Sequence, residues 1–103
     1  MVAMQANKLS EEELAGVLAK LPDWRLEQGK LCRDLKFMNF VAAFGFMTGV
    51  ALIAQELDHH PDWSNSGGNV QVALSTHDLG GISSLDAKLA YAVEEMAKRQ
   101  LNP

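Results

Sequence analysis

The sequence has 103 residues, 48% hydrophobic and 21% charged, with a formal net charge of -4 and a pI near 5.2. Those values fit one globular domain spanning 1–103 with a single core, and they exclude a disordered chain. Acidic balance and scattered Lys and Arg exclude an electrostatic footprint for nucleic acid or a charge-driven membrane role, and a single cysteine, Cys32, excludes an intrachain disulfide.

Met1 to Ser10 lack the apolar core and cleavage pattern of a signal peptide, so a cytoplasmic, reducing location is expected. The segment LSEEELAGVLAKL reads as a first helix. Ser10 and Glu13 have capping-box spacing, and Leu14, Val17, Leu18 and Leu21 form one apolar stripe. Pro22-Asp23 stops it. WRLEQGKLCRDLKF then reads as a hairpin turning at Gln28-Gly29. Leu31, Leu35 and Phe37 alternate with Cys32, Asp34 and Lys36, while Arg33 falls on the apolar side.

Asn39 is the expected N-cap of a second helix from Phe40 to about Leu57. Its run FVAAFGFMTGVALIA is shorter than the roughly 20 residues of a membrane span. The run is apolar almost all round, more than a domain this small can bury. A partner helix, most simply from a second copy of the chain, is therefore expected. Gly45 and Gly49 lie one turn apart and suit either that close approach or packing within one subunit.

The stretch DHHPDWSN should end this helix near His59, because Pro61 pushes His60 into an extended conformation. DWSNSGGN marks a turn between two short strands. NVQVALSTH reads as a strand with Val70, Val72, Leu74 and Thr76 on one face and Gln71, Ala73, Ser75 and His77 on the other. After the loop DLGGIS, Ser83 and Asp86 repeat the capping-box spacing and open a last helix to about Gln100, with Leu85, Leu89, Val93 and Met96 buried. The expected fold is α+β, in the order α-β-β-α-β-β-α, a four-stranded antiparallel sheet with three helices on one face. Exposed sheet edges are a second reason to expect an oligomer.

All three histidines, His59, His60 and His77, fall at element ends, where sites usually form. Imidazole titrates near neutral pH, so converging rings make an acid–base pair without a metal. Histidine also ends helices for ordinary reasons, so the residues alone leave both readings open. No metal site is expected: the HxxxH ligand spacing is absent, and adjacent histidines are awkward for one ion. Cys32 has no evident base, and neither a P-loop nor a dinucleotide fingerprint is present. Trp63 suits either an aromatic ligand's pocket or the core.

HHPDW, a strand ending in THD, then GGIS and an aspartate opening the last helix resemble the pterin-4a-carbinolamine dehydratase family. DWRLE and FGFMTGVALIAQELDHHPDWSN resemble it too, so the likeness covers nearly the whole chain. The resemblance implies dehydration of a 4a-hydroxytetrahydropterin to the quinonoid dihydropterin, with no metal or organic cofactor. It also implies homodimers or homotetramers formed through sheet edges and the long helix. On that basis His59, near a helix C-terminus that welcomes a cation, is the expected general acid. His77 or His60 is the expected base, with His60 also holding the pterin. Pro61, Trp63, Ser75 and Thr76 are the expected substrate-binding residues, and Asp86 is expected to cap the last helix.

Two positions depart from the family pattern. Gln55 stands where an acidic residue is usual, and Gly67 where a strand aromatic is usual. The first change removes a charge near the histidines and the second removes a large ring. They admit an alternative, a non-catalytic or weakly catalytic binding protein on the same scaffold, as in family members that stabilise the dimer of a homeodomain transcription factor. A slow dehydratase for another pterin, such as one linked to molybdopterin metabolism, is a third reading.

Overall fold

Ser10 starts the first helix as its spacing predicts: its hydroxyl accepts from Glu13 N at 3.1 Å, and Glu13 Oε1 accepts from Ser10 N at 2.9 Å. The computed structural model describes residues 6–101. Its elements are α1 (Glu11–Lys20), β1 (Arg25–Glu27), β2 (Lys30–Lys36), α2 (Phe40–Leu57), β3 (Asp62–Ser66), β4 (Asn69–Leu74), a 3-10 turn (His77–Leu79) and α3 (Ser84–Leu101). The strands form one antiparallel sheet in the order β1-β2-β4-β3, and the α+β arrangement matches the expectation.

Local chemistry explains the corners. Gln28 and Gly29 both have positive φ, 52° and 74°, the requirement of a tight hairpin turn whose twist matches its strands. Asn39 caps α2 by accepting from Ala42 N at 2.9 Å. In the β3–β4 turn, Gly67 has φ 56°, and Gly68 passes so near β2 that a Cβ there would lie 2.5 Å from the Phe37 carbonyl oxygen. Phe37 N donates to Gly68 O at 2.8 Å, so the close approach seats one hairpin on the end of the other.

One face of the sheet carries the core. Leu31, Leu35, Val70, Val72 and Leu74 are buried beneath Phe46 and Val50 of α2 and Leu89 and Val93 of α3. Each such side chain contributes about 1.5–3 kcal/mol by leaving water. Arg33, which breaks the apolar alternation of β2, points to the same side and is mostly buried. Its Nε donates to Glu94 Oε1 of α3 at 2.6 Å, and Trp24 Nε1 donates to the same oxygen at 2.7 Å. A long-range carboxylate thus makes a charged residue compatible with the inner face.

In α2 only the stripe Ala43, Phe46, Val50 and Ala54 is buried. By length and composition this helix could cross a membrane, at 18 residues and a mean hydropathy of 1.6, but the stripe is packed into the core. The two glycines divide. A Cβ on Gly49 would meet Met96 Sδ at 2.9 Å, so that residue makes room for α3, whereas Gly45 faces open space. Residues 7–9 lie as a strap along the segment that opens α3: Leu9 N donates to Ile82 O at 2.9 Å and Ser84 N donates to Asn7 O at 2.8 Å, with Lys8 bridged to Ser83.

Gly68→Ala should lower stability by about 1–3 kcal/mol in urea unfolding, because its Cβ meets rigid backbone. Gly16→Ala, on α1 with nothing within 4 Å, should raise stability by roughly 0.5–1 kcal/mol. Equal effects of the two would contradict the close approach at Gly68.

Candidate active site

Three chain segments meet at one buried carboxylate. The first is the end of α2. Asp58 adopts the left-handed conformation (φ 51°), tolerated by aspartate better than by most residues. Asp58 N donates to Gln55 O at 3.2 Å and His59 N to Ala54 O at 3.0 Å, the paired bonds of a Schellman ending. His59 is therefore held by its own backbone one step beyond the helix, and Pro61 then leads the chain into β3.

The second segment is the end of β4. The expected strand stops at Leu74, and His77 opens a 3-10 turn instead of closing a strand. The cause is local: Leu79 N donates to Thr76 O, Gly80 N to His77 O with Gly80 at φ 65°, and Thr76 N turns to Gly81 O at 2.9 Å. These bonds replace the ladder and swing His77 outward, where it is exposed.

The third is the start of α3. Asp86 is fully buried, and its Oδ2 accepts from Ser83 N at 2.8 Å, one half of the expected capping box. The same Oδ2 accepts from Thr76 Oγ1 at 2.8 Å. Since the Thr76 hydroxyl has one hydrogen and gives it to Asp86, the 2.6 Å contact between Thr76 Oγ1 and Ser83 Oγ must have serine as donor. Ser83 Oγ in turn accepts from Leu85 N at 3.2 Å. The other carboxylate oxygen, Oδ1, lies 2.5 Å from His59 Nε2. His59 is 12% exposed and Asp86 0%, so the pair sits just beneath the surface.

Of the sequence-predicted residues, His59 and Thr76 are joined through Asp86. Ser75, Thr76 and His77 line a shallow depression of about 230 Å³ with the Gln28-Gly29 turn, Lys30 and Gly80-Gly81. That is below the roughly 300–1,000 Å³ of enclosing ligand pockets. His60 is exposed on the other side of the corner, its Nε2 3.1 Å from Gln55 Oε1. The departure at Gln55 therefore gives His60 a neutral partner. Half-buried Trp63 packs against the core at the start of β3, opposite Val72. Among the described residues, no group of three or more His, Cys, Asp or Glu is arranged to hold a metal. The sequence presented Asp86 only as a cap, and its bond to His59 is the contact that reading missed; the signal was the Ser83–Asp86 spacing, which leaves one carboxylate oxygen uncommitted.

Cys32 takes no part in this cluster. Burial pushes its thiol up, against the pull of Arg25, and its Sγ faces Lys30 O at 3.6 Å. A raised thiol pKa means less thiolate at any pH, hence a weak nucleophile.

The pattern of the family described as Pterin 4 alpha carbinolamine dehydratase matches residues 7–96. A Prochlorococcus marinus (strain MIT 9303) protein named "Putative pterin-4-alpha-carbinolamine dehydratase" is 50% identical over 90 residues, covering 87% of this chain and 94% of its own. One of the same name from Rhizorhabdus wittichii is 45% identical over 97 residues, covering 92% and 100%. The crystal structure of a transcriptional coactivator/pterin dehydratase from Brucella melitensis superposes with a TM-score of 0.84 at 41% identity, covering 88% of this chain and 99% of that one.

At pH 7, disulfide-exchange labelling of Cys32 should run several-fold slower than that of a free cysteine peptide and accelerate as pH rises past the ordinary thiol range. Rapid labelling at pH 7 would contradict the spectator assignment.

Proposed function

The chain belongs to the pterin-4a-carbinolamine dehydratase family, and from that premise we propose how its residues divide the family's reaction. The protein is a hydro-lyase that dehydrates 4a-hydroxytetrahydropterin to quinonoid dihydropterin and water, a step in tetrahydropterin recycling. The C4a–O bond breaks, and the departing hydroxyl takes a proton to leave as water. The N5–H proton goes to a base, and the electrons it leaves form the C4a=N5 double bond. The step needs one acid, one base and no net oxidation.

His59 is our assignment for the acid, and His77 or His60 for the base, with His60 also holding the pterin. Ser75 and Thr76 contact the substrate along the rim of the depression, and Pro61 and Trp63 shape the corner from which the two histidines leave. The observation that supports this assignment best is the bond from His59 to buried Asp86, which shares its carboxylate with Thr76 beside His77. Acid–base help of this kind is typically worth about 10²–10⁴-fold. We assign the whole reaction to one domain in the cytoplasm, without metal, organic cofactor, nucleic acid or membrane.

A homodimer or homotetramer is the proposed assembly. Val41 and Leu52 of α2 are 78% and 70% exposed, Met38 just before the helix is 88% exposed, and the Phe40 and Phe44 rings of α2 lie tilted to one another with centroids 5.5 Å apart. Isolated apolar residues need no partner, but a contiguous set along one helix does. The same face also suits a different protein partner, which is the binding-protein reading.

His59→Ala should cut turnover of freshly generated 4a-hydroxytetrahydropterin in stopped flow by about 10²-fold or more, with circular dichroism unchanged. Full turnover in that variant would remove His59 from the chemistry, and no acceleration by folded wild-type protein would leave the binding-protein reading standing. Val41→Glu with Phe44→Glu should reduce the sedimenting species to a smaller form; an unchanged mass would move the interface elsewhere.

A further inference from the structure

We propose that Asp86 is a positioning residue that fixes the tautomer of His59, so that Nδ1 alone exchanges protons with the substrate. This rests on the assignment of His59 as the acid and adds to it which nitrogen acts and what sets it.

The argument is a count of hydrogens. A carboxylate only accepts. Its oxygen lies 2.5 Å from His59 Nε2, so that nitrogen carries the hydrogen. Nδ1 has no hydrogen-bond partner among the described residues, and the half-buried side chains there leave no enclosed polar atom unpartnered. Nδ1 therefore reaches the surface. It is the nitrogen that gives its proton to the departing hydroxyl oxygen and afterwards holds the lone pair that takes one up again.

Asp86 cannot turn away from this duty. Its Oδ2 is held by Ser83 N and by Thr76 Oγ1, and Thr76 is held in turn by Ser83 Oγ. Those bonds tie the carboxylate plane to the segments that follow β4 and precede α3, independently of the histidine. The consequence is sharp for an isosteric change. In Asp86→Asn, the Ser83 and Thr76 donors require the amide oxygen at the Oδ2 place. The amide NH2 must then face His59 Nε2, which becomes an acceptor, and the neutral ring carries its hydrogen on Nδ1. A neutral ring N–H is a far weaker acid than an imidazolium, and its Nδ1 has no lone pair to reload. An inverted tautomer costs about 10⁴-fold in a serine protease triad.

The test uses 15N-histidine-labelled full-length protein and long-range 1H–15N correlation at a pH where His59 is neutral. In the wild type, the expected state is a protonated Nε2 and a bare Nδ1. In Asp86→Asn the pattern should invert, and kcat should fall by about 10²-fold or more with KM little changed, while circular dichroism stays native. A structural cap alone would not invert the tautomer. A wild-type His59 protonated on Nδ1 overturns the inference, and does so even if Asp86→Asn does not fold. Wild-type kcat in folded Asp86→Asn also overturns it. His59→Ala separates the two failures: an inactive His59→Ala beside a fully active Asp86→Asn sinks only the role of Asp86, whereas a fully active His59→Ala sinks the acid assignment beneath it.

Discussion

The Asp86 carboxylate is the constraint on which the arrangement depends. It is fully buried and accepts from a backbone amide, a hydroxyl and an imidazole, which belong to three different segments. Burying a carboxylate is expensive unless its lone pairs are used. Here each oxygen has a donor, and the position at the N-terminus of α3 adds the favourable end of a helix dipole. The cost of burial makes the network cooperative: a partner that moves away leaves the rest unsatisfied. The end of α2, the end of β4 and the start of α3 are therefore fixed relative to one another by polar contacts, in a region where the apolar core thins out toward the surface.

Much of this was legible one element at a time. Ser10, Asn39 and the Gln28-Gly29 turn were readable because each acts within four residues of itself. The HHP corner was readable because proline restricts its neighbour. What the sequence hid acts across long separations. Arg33 looks misplaced in its strand until Glu94, 61 residues away, supplies an acceptor. The spacing of Ser83 and Asp86 announces a cap, but not that the second oxygen reaches a histidine 27 residues earlier. The alternation through Thr76 predicts a strand that reaches His77. The ladder ends sooner because Thr76 pairs with Gly81 across a glycine-closed turn.

The second helix has two characters. One stripe belongs to the core, and the opposite side shows phenylalanine, valine and leucine to solvent. Gly49 and Gly45, which look equivalent in sequence, fall on either side of this division: one admits Met96 and the other meets nothing. A pattern apolar all round thus combines an inner face set by packing with an outer face that packing within this chain does not use.

The strap at residues 7–9 has a consequence for the order of assembly. It bonds to Ile82 and Ser84, so a contact made by residues 7–9 must wait for residues more than seventy positions later. Such closures are slow, because the chain loses loop entropy before the contact rewards it. On the ribosome, hairpin β1–β2 and helix α2 can form while the segment from Ile82 to Asp86 is still unmade or inside the exit tunnel. The carboxylate cluster is then among the last features to appear. A chain interrupted before α3 would carry His59 without the group that orients it, so the site takes shape only once Asp86 is made and free to fold back.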